Sequence, residues 1–270
     1  MSELQKTNVK TVTEALVFSL DRVRAEGYTP AGVFLYGSQN YNLDTPESDF
    51  DLKCFVLPTL RQLVVNAKPV SKVLEFDFGQ VEVKDVRLMY KLFQKANPAY
   101  LETLFTKHYL SLNPQMDELV EMREEVAAMN KNGLVKASYG MFKQKQTALR
   151  REYPSTLHKV KEYGYDGKQG HHCLRLLTMM TDYFVNGKSF QESLVPTREL
   201  ENLWDWKLQR LPDTPELDEK LNEYEEMFKY LRTKVESLEL GFNDATGDKV
   251  EALVHEMLYS HLREEVKFDL

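Results

Sequence analysis

The feature that most constrains the fold is the uneven distribution of strand-like and helix-like segments along the 270 residues. Short apolar and aromatic runs bounded by turn residues, which are typical of buried strands, occur before residue 88. From Leu88 onward apolar residues recur every three or four positions, the spacing of amphipathic helices. The chain has only 12 glycines and 10 prolines, which favours long helices with few turns. The sequence therefore predicts an α+β protein: a small mixed-sheet domain over residues 1–112, followed by an all-helical domain over 113–270.

Several segments define the expected order of elements in the first domain. Their patterns predict a helix over residues 11–26, strands over 31–36 and 48–57, and an antiparallel hairpin of 73–78 with 81–86. Gly37-Ser38 directly follows the first of these strands, and a glycine at that place predicts a tight turn. The first strand thus ends where another group can approach the backbone closely.

Charge, hydropathy and cysteine content exclude several classes of protein. The net charge is −7, and no apolar run approaches the ~18 residues that a membrane-spanning helix needs. The polar stretch at residues 1–10 is unlike a secretory signal. Cys54 and Cys173 stand in apolar surroundings at no metal-ligand spacing, which predicts buried free thiols. We therefore expect a soluble, cytoplasmic protein with no membrane partner.

Two carboxylates stand two positions apart at the second strand. Asp49 and Asp51 flank Phe50, and because successive side chains of a strand point to opposite faces, the two carboxylates share a face. The two carboxylates repel each other unless a hard cation lies between them. Mg²⁺ typically binds one or two protein carboxylates together with phosphate oxygens. Gly37-Ser38 offers backbone N–H groups and a hydroxyl suited to holding phosphates. The residues predict a site for Mg²⁺ and phosphates.

A third carboxylate is needed if a second metal ion is to be held and a hydroxyl deprotonated. Asp85 has the strand parity of Val81 and Val83, which are typical core residues, so a carboxylate there is unusual for a structural role. Glu82 lies on the opposite face and is the alternative. We expect Asp85 to reach the aspartate pair from the end of its strand.

Taken in order, these residues resemble the DNA polymerase β-like nucleotidyltransferase superfamily, in which Gly-Ser is followed by Asp-x-Asp and by a third acid on a later strand. Over roughly residues 33–175 the sequence is most similar to the predicted nucleotidyltransferases of the RNA-repair-associated family (RlaP). The resemblance implies a polymerase β-like catalytic domain, an NTP substrate, and two Mg²⁺ ions, with Mn²⁺ as an alternative, held by Asp49, Asp51 and Asp85. The segments that carry the finer resemblance are 41–51, 85–98, Glu102, 164–168, His172 and Arg175.

Basic residues concentrate in the segment 131–175, which holds ten Lys and Arg against three Asp and Glu. Lys168, His172 and Arg175 fall on one narrow stripe of a predicted helix; the resemblance favours their binding the NTP and the departing pyrophosphate over the alternative of an exposed basic face. Aromatic residues interleave with the basic ones, a mixture suited to a nucleic-acid backbone and stacked bases. The residues expected to bind an RNA acceptor are Lys143, Lys145, Arg150 and Arg151.

The predicted activity is transfer of a nucleoside monophosphate from an NTP to a hydroxyl acceptor, with release of pyrophosphate. RNA, such as a tRNA or a damaged RNA end, is the favoured acceptor, and Gly37 and Ser38 would hold the NTP phosphates. Two alternatives stay open: transfer to a protein or small molecule, and a non-catalytic antitoxin or RNA-binding module of the same fold. The sequence predicts neither the base of the NTP nor the oligomeric state.

Overall fold

The computed structural model describes Thr7 and residues 9–268, with side chains up to residue 266. Most of the polar stretch at residues 1–10, interpreted above as unlike a secretory signal, lies outside the described residues. The chain divides into two compact units. One comprises Met1–Met129 and Asn243–Leu270, and the other comprises Asn130–Phe242.

The first unit contains a sheet and the helices that cover it. Its elements are α1 (Val12–Ala25), β1 (Thr29–Tyr36), β2 (Phe50–Leu57), α2 (Leu60–Val64), β3 (Ser71–Phe76), β4 (Gly79–Asp85), α3 (Met89–Gln94), α4 (Pro98–Leu101), β5 (Tyr109–Ser111), α5 (Pro114–Glu121) and α6 (Arg123–Ala128). The second unit is helical, with α7 (Lys131–Ala148), α8 (Leu157–Tyr163), α9 (Gly167–Phe184), α10 (Phe190–Leu194), α11 (Leu200–Lys207) and α12 (Pro215–Ser237). The last helix, α13 (Asp244–Phe268), belongs to the first unit.

The strands form a mixed sheet in the order β3-β4-β2-β1-β5. β1 pairs antiparallel with β2, and the predicted hairpin of β3 and β4 is confirmed as antiparallel. β4 runs parallel to β2, with Asp51 opposite Gln80 and Val56 opposite Asp85. The short edge strand β5, which the sequence did not predict, pairs antiparallel with β1. The predicted α+β class, a mixed sheet near the N-terminus followed by helices, is confirmed.

The two faces of the sheet have different characters. Apolar side chains of β1, β2 and β4 pack with α1 into one core, which includes Leu52, Val56, Val81 and Val83. Alternation along β2 and β4 therefore places Asp51, Lys53, Gln80 and Glu82 on the other face. The carboxylate of the second strand and the core residues of the hairpin thus lie on opposite sides of the sheet.

The first unit extends beyond the sheet. Helix α13 packs against α3, α5 and α6. The domain boundary expected at residue 112 consequently lies inside this unit, which continues to Met129 and includes the C-terminal helix.

The second unit is built around α9, which packs against α7, α11 and α12. A Cβ atom at Gly170 would lie 2.0 Å from Trp206 Cε3, so the glycine lets α11 approach α9 closely. Cys54 in the first unit and Cys173 in the second are buried free thiols, as predicted. In the described part of the chain no helix combines the length and apolarity that crossing a bilayer requires.

Candidate functional site

The turn after β1 lies directly against the carboxylate of Asp51. Gly37 has φ +91°, a conformation that favours glycine, and a Cβ atom there would stand only 3.3 Å from Asp51 Oδ2. The half-buried Ser38 follows and begins a 3₁₀ turn, Ser38–Tyr41. Antiparallel pairing of Tyr36 with Asp51 holds the two segments in this relation. The structure therefore brings the predicted phosphate-binding turn to the predicted metal ligand.

Asp49 is tied to the same turn. It immediately precedes β2, is exposed, and its carbonyl oxygen accepts a hydrogen bond from Gln39 Nε2 at 3.0 Å. The next residue of the turn, Asn40, donates from Nδ2 to the Leu35 carbonyl at 2.9 Å. These two hydrogen bonds hold the turn against the residue before β2 and against the end of β1. Gly37, Ser38, Asp49 and Asp51 therefore form one local group of residues.

Gln80 occupies the position on β4 directly across from Asp51. Its Nε2 donates to Asp51 Oδ1 at 2.9 Å and to the Tyr36 hydroxyl at 3.4 Å. The residue paired with Asp51 on the neighbouring parallel strand is thus an amide and not another carboxylate. Sequence reasoning missed this residue because the pairing of β2 with β4 is not local.

Lys53 is a buried cation on the face that carries Asp51. Only 2% of it is exposed, and its Nζ lies 3.1 Å from the centroid of the Tyr36 ring and 3.4 Å from Glu82 Oε2. Burial lowers the pKa of Lys53 to about 8, while the carboxylates of Glu82, Glu102 and Asp51 act in the opposite direction. Lys53 stands two positions after Asp51 in the same strand, so the alternation of side chains could have predicted that both lie on one face.

Glu82, the alternative third acid, is fully engaged with neighbouring side chains. Its carboxylate contacts Lys53, lies 2.9 Å from Lys84 Nζ and accepts a hydrogen bond from the Tyr100 hydroxyl at 2.9 Å. Burial alone raises the pKa of Glu82, but Lys53, Lys84 and the Tyr100 hydroxyl together bring that pKa below its ordinary value. The negative charge of the Glu82 carboxylate is therefore compensated by the two lysines.

The structure does not bring Asp85 to the aspartate pair, which corrects the expected third acid. Asp85 lies opposite Val56, five residues or about 17 Å along β2 from Asp51, and on the core face of the sheet. It is 1% exposed and holds Arg87 through Nε at 2.9 Å and Nη2 at 2.6 Å. The physical reason is that β2 and β4 are parallel, so the end of β4 is remote from the start of β2. Asp85 is a structural acid in this arrangement.

Among the described residues, no three His, Cys, Asp or Glu side chains come together as a set that could hold a metal ion. The pair Asp49 and Asp51 supplies two carboxylates, which suits one Mg²⁺ completed by phosphate oxygens and water. A second ion held through Asp85 does not fit this geometry.

Lys168, His172 and Arg175 lie in the second unit, on α9. Lys168 is exposed, His172 is half-buried, and Arg175 is buried with Nη1 3.9 Å from Met179 Sδ. Burial and the neighbouring cations Lys145, Arg175 and Lys168 hold the pKa of His172 well below its ordinary value. At neutral pH the stripe therefore has two charges rather than three, and its role in NTP binding stays a prediction.

The four residues predicted to bind the acceptor separate into two pairs. Lys143 contacts Glu225 at 2.8 Å, and Arg150 contacts Asp213 and Asp218 at 2.5 Å each. Within the described residues Lys145 and Arg151 make no ion pair. They line a cavity of about 590 Å³ together with Lys143, Tyr153 and Gln169. Only part of the predicted basic surface therefore has positive charge available for an anion.

Comparisons with known proteins add little. The sequence matches no family model and no curated protein sequence. Six chains of solved structures are similar in part. Among them is a nucleotidyltransferase-like protein from Exiguobacterium sibiricum 255-15, which aligns over 83% of this chain and 75% of its own length, with 10% identity and a TM-score of 0.31. A similarity of this extent carries no argument about the chain.

The buried histidines of α9 predict acid sensitivity. Burial lowers the pKa of His171 to about 4, and its Nδ1 lies 3.0 Å from the Leu203 carbonyl oxygen. The unfolded chain takes up a proton at this residue near pH 6.5 and the folded chain does not, so stability is lost as pH falls from about 6.5 towards 4. Urea midpoints measured between pH 7 and 5 should decline, and less so in His171→Asn. Equal declines in both proteins would contradict this account.

Proposed function

We propose that the protein is a nucleotidyltransferase that moves a nucleoside monophosphate from an NTP to a hydroxyl acceptor and releases pyrophosphate. The observation that carries the proposal is the approach of the Gly37 backbone to the Asp51 carboxylate, 3.3 Å from a Cβ position that glycine leaves empty. A phosphate-binding turn held against a paired-carboxylate metal site is the arrangement that such a transfer needs.

Asp49 and Asp51 would hold Mg²⁺ together with the NTP. When bound, the ion would neutralise phosphate charge and make the acceptor hydroxyl more acidic. The backbone N–H groups of the turn and the Ser38 hydroxyl would orient the phosphates, because they lie beside the carboxylates and add no negative charge. Lys53 and Gln80 would keep the Asp51 carboxylate in one orientation.

Label transfer tests the proposal. Purified protein is incubated with Mg²⁺, one α-³²P-labelled NTP at a time, and total RNA or a protein mixture. We expect label in the RNA fraction and equimolar pyrophosphate in solution. Transfer of label to protein or to a small molecule would keep the activity and change the acceptor. No transfer with any NTP, by protein shown to be folded, would contradict the proposal.

A non-catalytic module is the second candidate, and one observation favours it. The position across from Asp51 carries the amide of Gln80 in place of an acid. An inactive module would bind an NTP or RNA without turnover, so equilibrium binding without pyrophosphate release would identify it.

An RNA acceptor predicts a strong dependence of binding on salt. Log affinity for a single-stranded RNA should fall linearly with log salt, with a slope of about −0.7 per neutralised phosphate. Lys145→Glu with Arg151→Glu should flatten that slope by roughly one to two units, because these cations line the cavity and form no ion pair with any described residue. Fluorescence anisotropy measures the affinity.

Lys136→Glu is the matched control. It reverses one charge on α7, as Lys145→Glu alone does, about 13 Å from Lys145 along the helix, at a lysine already beside Glu236. The control should alter the slope little. Salt-independent RNA binding, or equal effects of the control and the double variant, would contradict an RNA backbone at this cavity.

A further inference from the structure

We propose that the site binds a single divalent cation with its nucleotide, and that the buried ammonium of Lys53 supplies the fixed positive charge that a second ion would otherwise provide. This inference rests on the proposed function and specifies its metal requirement. It concerns the face of the sheet formed by β1, β2 and β4, within the first unit.

The register of β2 and β4 restricts which residues could join Asp51 in binding a second ion. Gln80 lies directly across from Asp51, and Glu82 lies two pairs further, across from Lys53. Gln80 donates its amide N–H to Asp51 Oδ1. That donation uses one of the two lone pairs of Oδ1 and offers the site a hydrogen-bond donor in place of a negative charge.

Glu82 is not available as the missing ligand. Lys53, Lys84 and the Tyr100 hydroxyl all contact its carboxylate, at 3.4, 2.9 and 2.9 Å. A metal ion would have to displace two ammonium groups and a hydroxyl. Glu75 on β3 pairs with Gln80 and so lies on the same face of the sheet as Asp51, but β4 lies between Glu75 and Asp51.

Lys53 has the position and the surroundings of an internal cation. Its side chain is 3% exposed, and its Nζ lies 3.1 Å from the Tyr36 ring centroid and 5.2 Å from that of Tyr100. A buried charge persists only when other charges compensate it, and here the carboxylates of Glu82, Glu102 and Asp51 do so. These acids surround a lysine rather than a space open to a metal ion.

The charge arrangement assigns Lys53 a positioning role. Its stem is buried, so the ammonium acts on the nucleotide site through Asp51 and does not touch the substrate. The carboxylates of Asp49 and Asp51 would bind one ion. The positive charge of Lys53, two residues after Asp51, attracts both carboxylates and so offsets part of their mutual repulsion.

The experiment counts ions. Mn²⁺ is titrated into the protein with a non-hydrolysable α,β-methylene NTP analogue, and free Mn²⁺ is followed by electron paramagnetic resonance. We expect one tightly bound Mn²⁺ per chain in the natural protein. Gln80→Glu, which places a carboxylate across from Asp51, should bind a second Mn²⁺ in the presence of the analogue. Glu75→Gln should leave the count at one.

A second pair of variants tests Lys53. Lys53→Met alone leaves buried acids uncompensated, so it is combined with Glu82→Gln, which removes one of them. The double variant should fold, keep one Mn²⁺, and lose at least tenfold in kcat with KM for the NTP changed less than threefold. Glu82→Gln alone should retain most of kcat, because Lys53 remains.

The outcomes separate the inference from the proposed function. Two ions in the natural protein, one ion in a folded Gln80→Glu, or normal kcat in the folded double variant would each overturn the inference while label transfer continues. Absence of both label transfer and nucleotide-dependent Mn²⁺ binding would overturn the proposed function as well.

Discussion

Asp51→Asn should lower the rate of nucleotidyl transfer about 10³-fold or more, equivalent to about 4 kcal/mol of transition-state stabilisation. The substitution removes the negative charge that would hold Mg²⁺ but preserves an Oδ1 atom that can accept the Gln80 hydrogen bond. Glu82 and Glu102 still compensate the buried Lys53 charge, so the thermal midpoint in metal-free buffer should fall by no more than a few degrees. Label transfer and thermal denaturation of the same preparation measure both quantities.

Asp21→Asn provides the matched control for this prediction. Asp21 lies on α1 with its side chain 68% exposed, and its contact with Arg24 spans 3.6 Å, so its removal should change neither rate nor stability measurably. Asp49→Asn should behave as Asp51→Asn does. A large loss of stability with the rate retained would show that the aspartate pair is structural.

Local patterns predicted the parts of this fold that local interactions determine. The turn at Gly37-Ser38 and the β3–β4 hairpin were confirmed because each depends on residues close in sequence. Asp49 precedes β2 instead of lying within it, so the shared face of the Asp49 and Asp51 carboxylates stays a prediction. Parity also placed Asp85 correctly on the face of Val81 and Val83. The alternation of side chains could not show that this face and the end of β4 lie away from Asp51.

That relation depends on strand pairing across the chain. β4 lies beside β2 and runs parallel to it, so the end of β4 is far from the start of β2. Had the two strands been antiparallel, the end of β4 would have lain near Asp51. The sequence between them does not encode this direction in any simple pattern, which explains the incorrect placement of Asp85 and the failure to notice Gln80.

Charge compensation was likewise hidden from sequence reasoning. Lys143 and Arg150 belong to the basic segment, but their partners Glu225 and Asp213 lie more than sixty residues later. Counting charges along a segment therefore overestimated the positive surface. Lys145 and Arg151 line the cavity and form no ion pair within the described residues, although the charge of Asp166 acts on Lys145.

Asp85→Ala should reduce the free energy of unfolding by about 3–5 kcal/mol, the usual cost of removing one partner of a buried ion pair. Asp85 accepts hydrogen bonds from Arg87 Nε and Nη2 and from the Arg87 backbone N–H at 2.9 Å, and Arg87 in turn donates to the Ala67 carbonyl. Without Asp85 the guanidinium loses its counter-charge. Urea denaturation measures the loss.

The contrast with Asp51 distinguishes a structural acid from a metal ligand. In conditions where Asp85→Ala stays folded, its rate of label transfer per folded molecule should match the natural protein, because Asp85 lies on the core face and about 17 Å along the strand from Asp51. Asp85→Leu combined with Arg87→Met removes both charges and should recover part of the lost stability. Loss of transfer in this stabilised double variant would mean that Asp85 acts on the reaction itself.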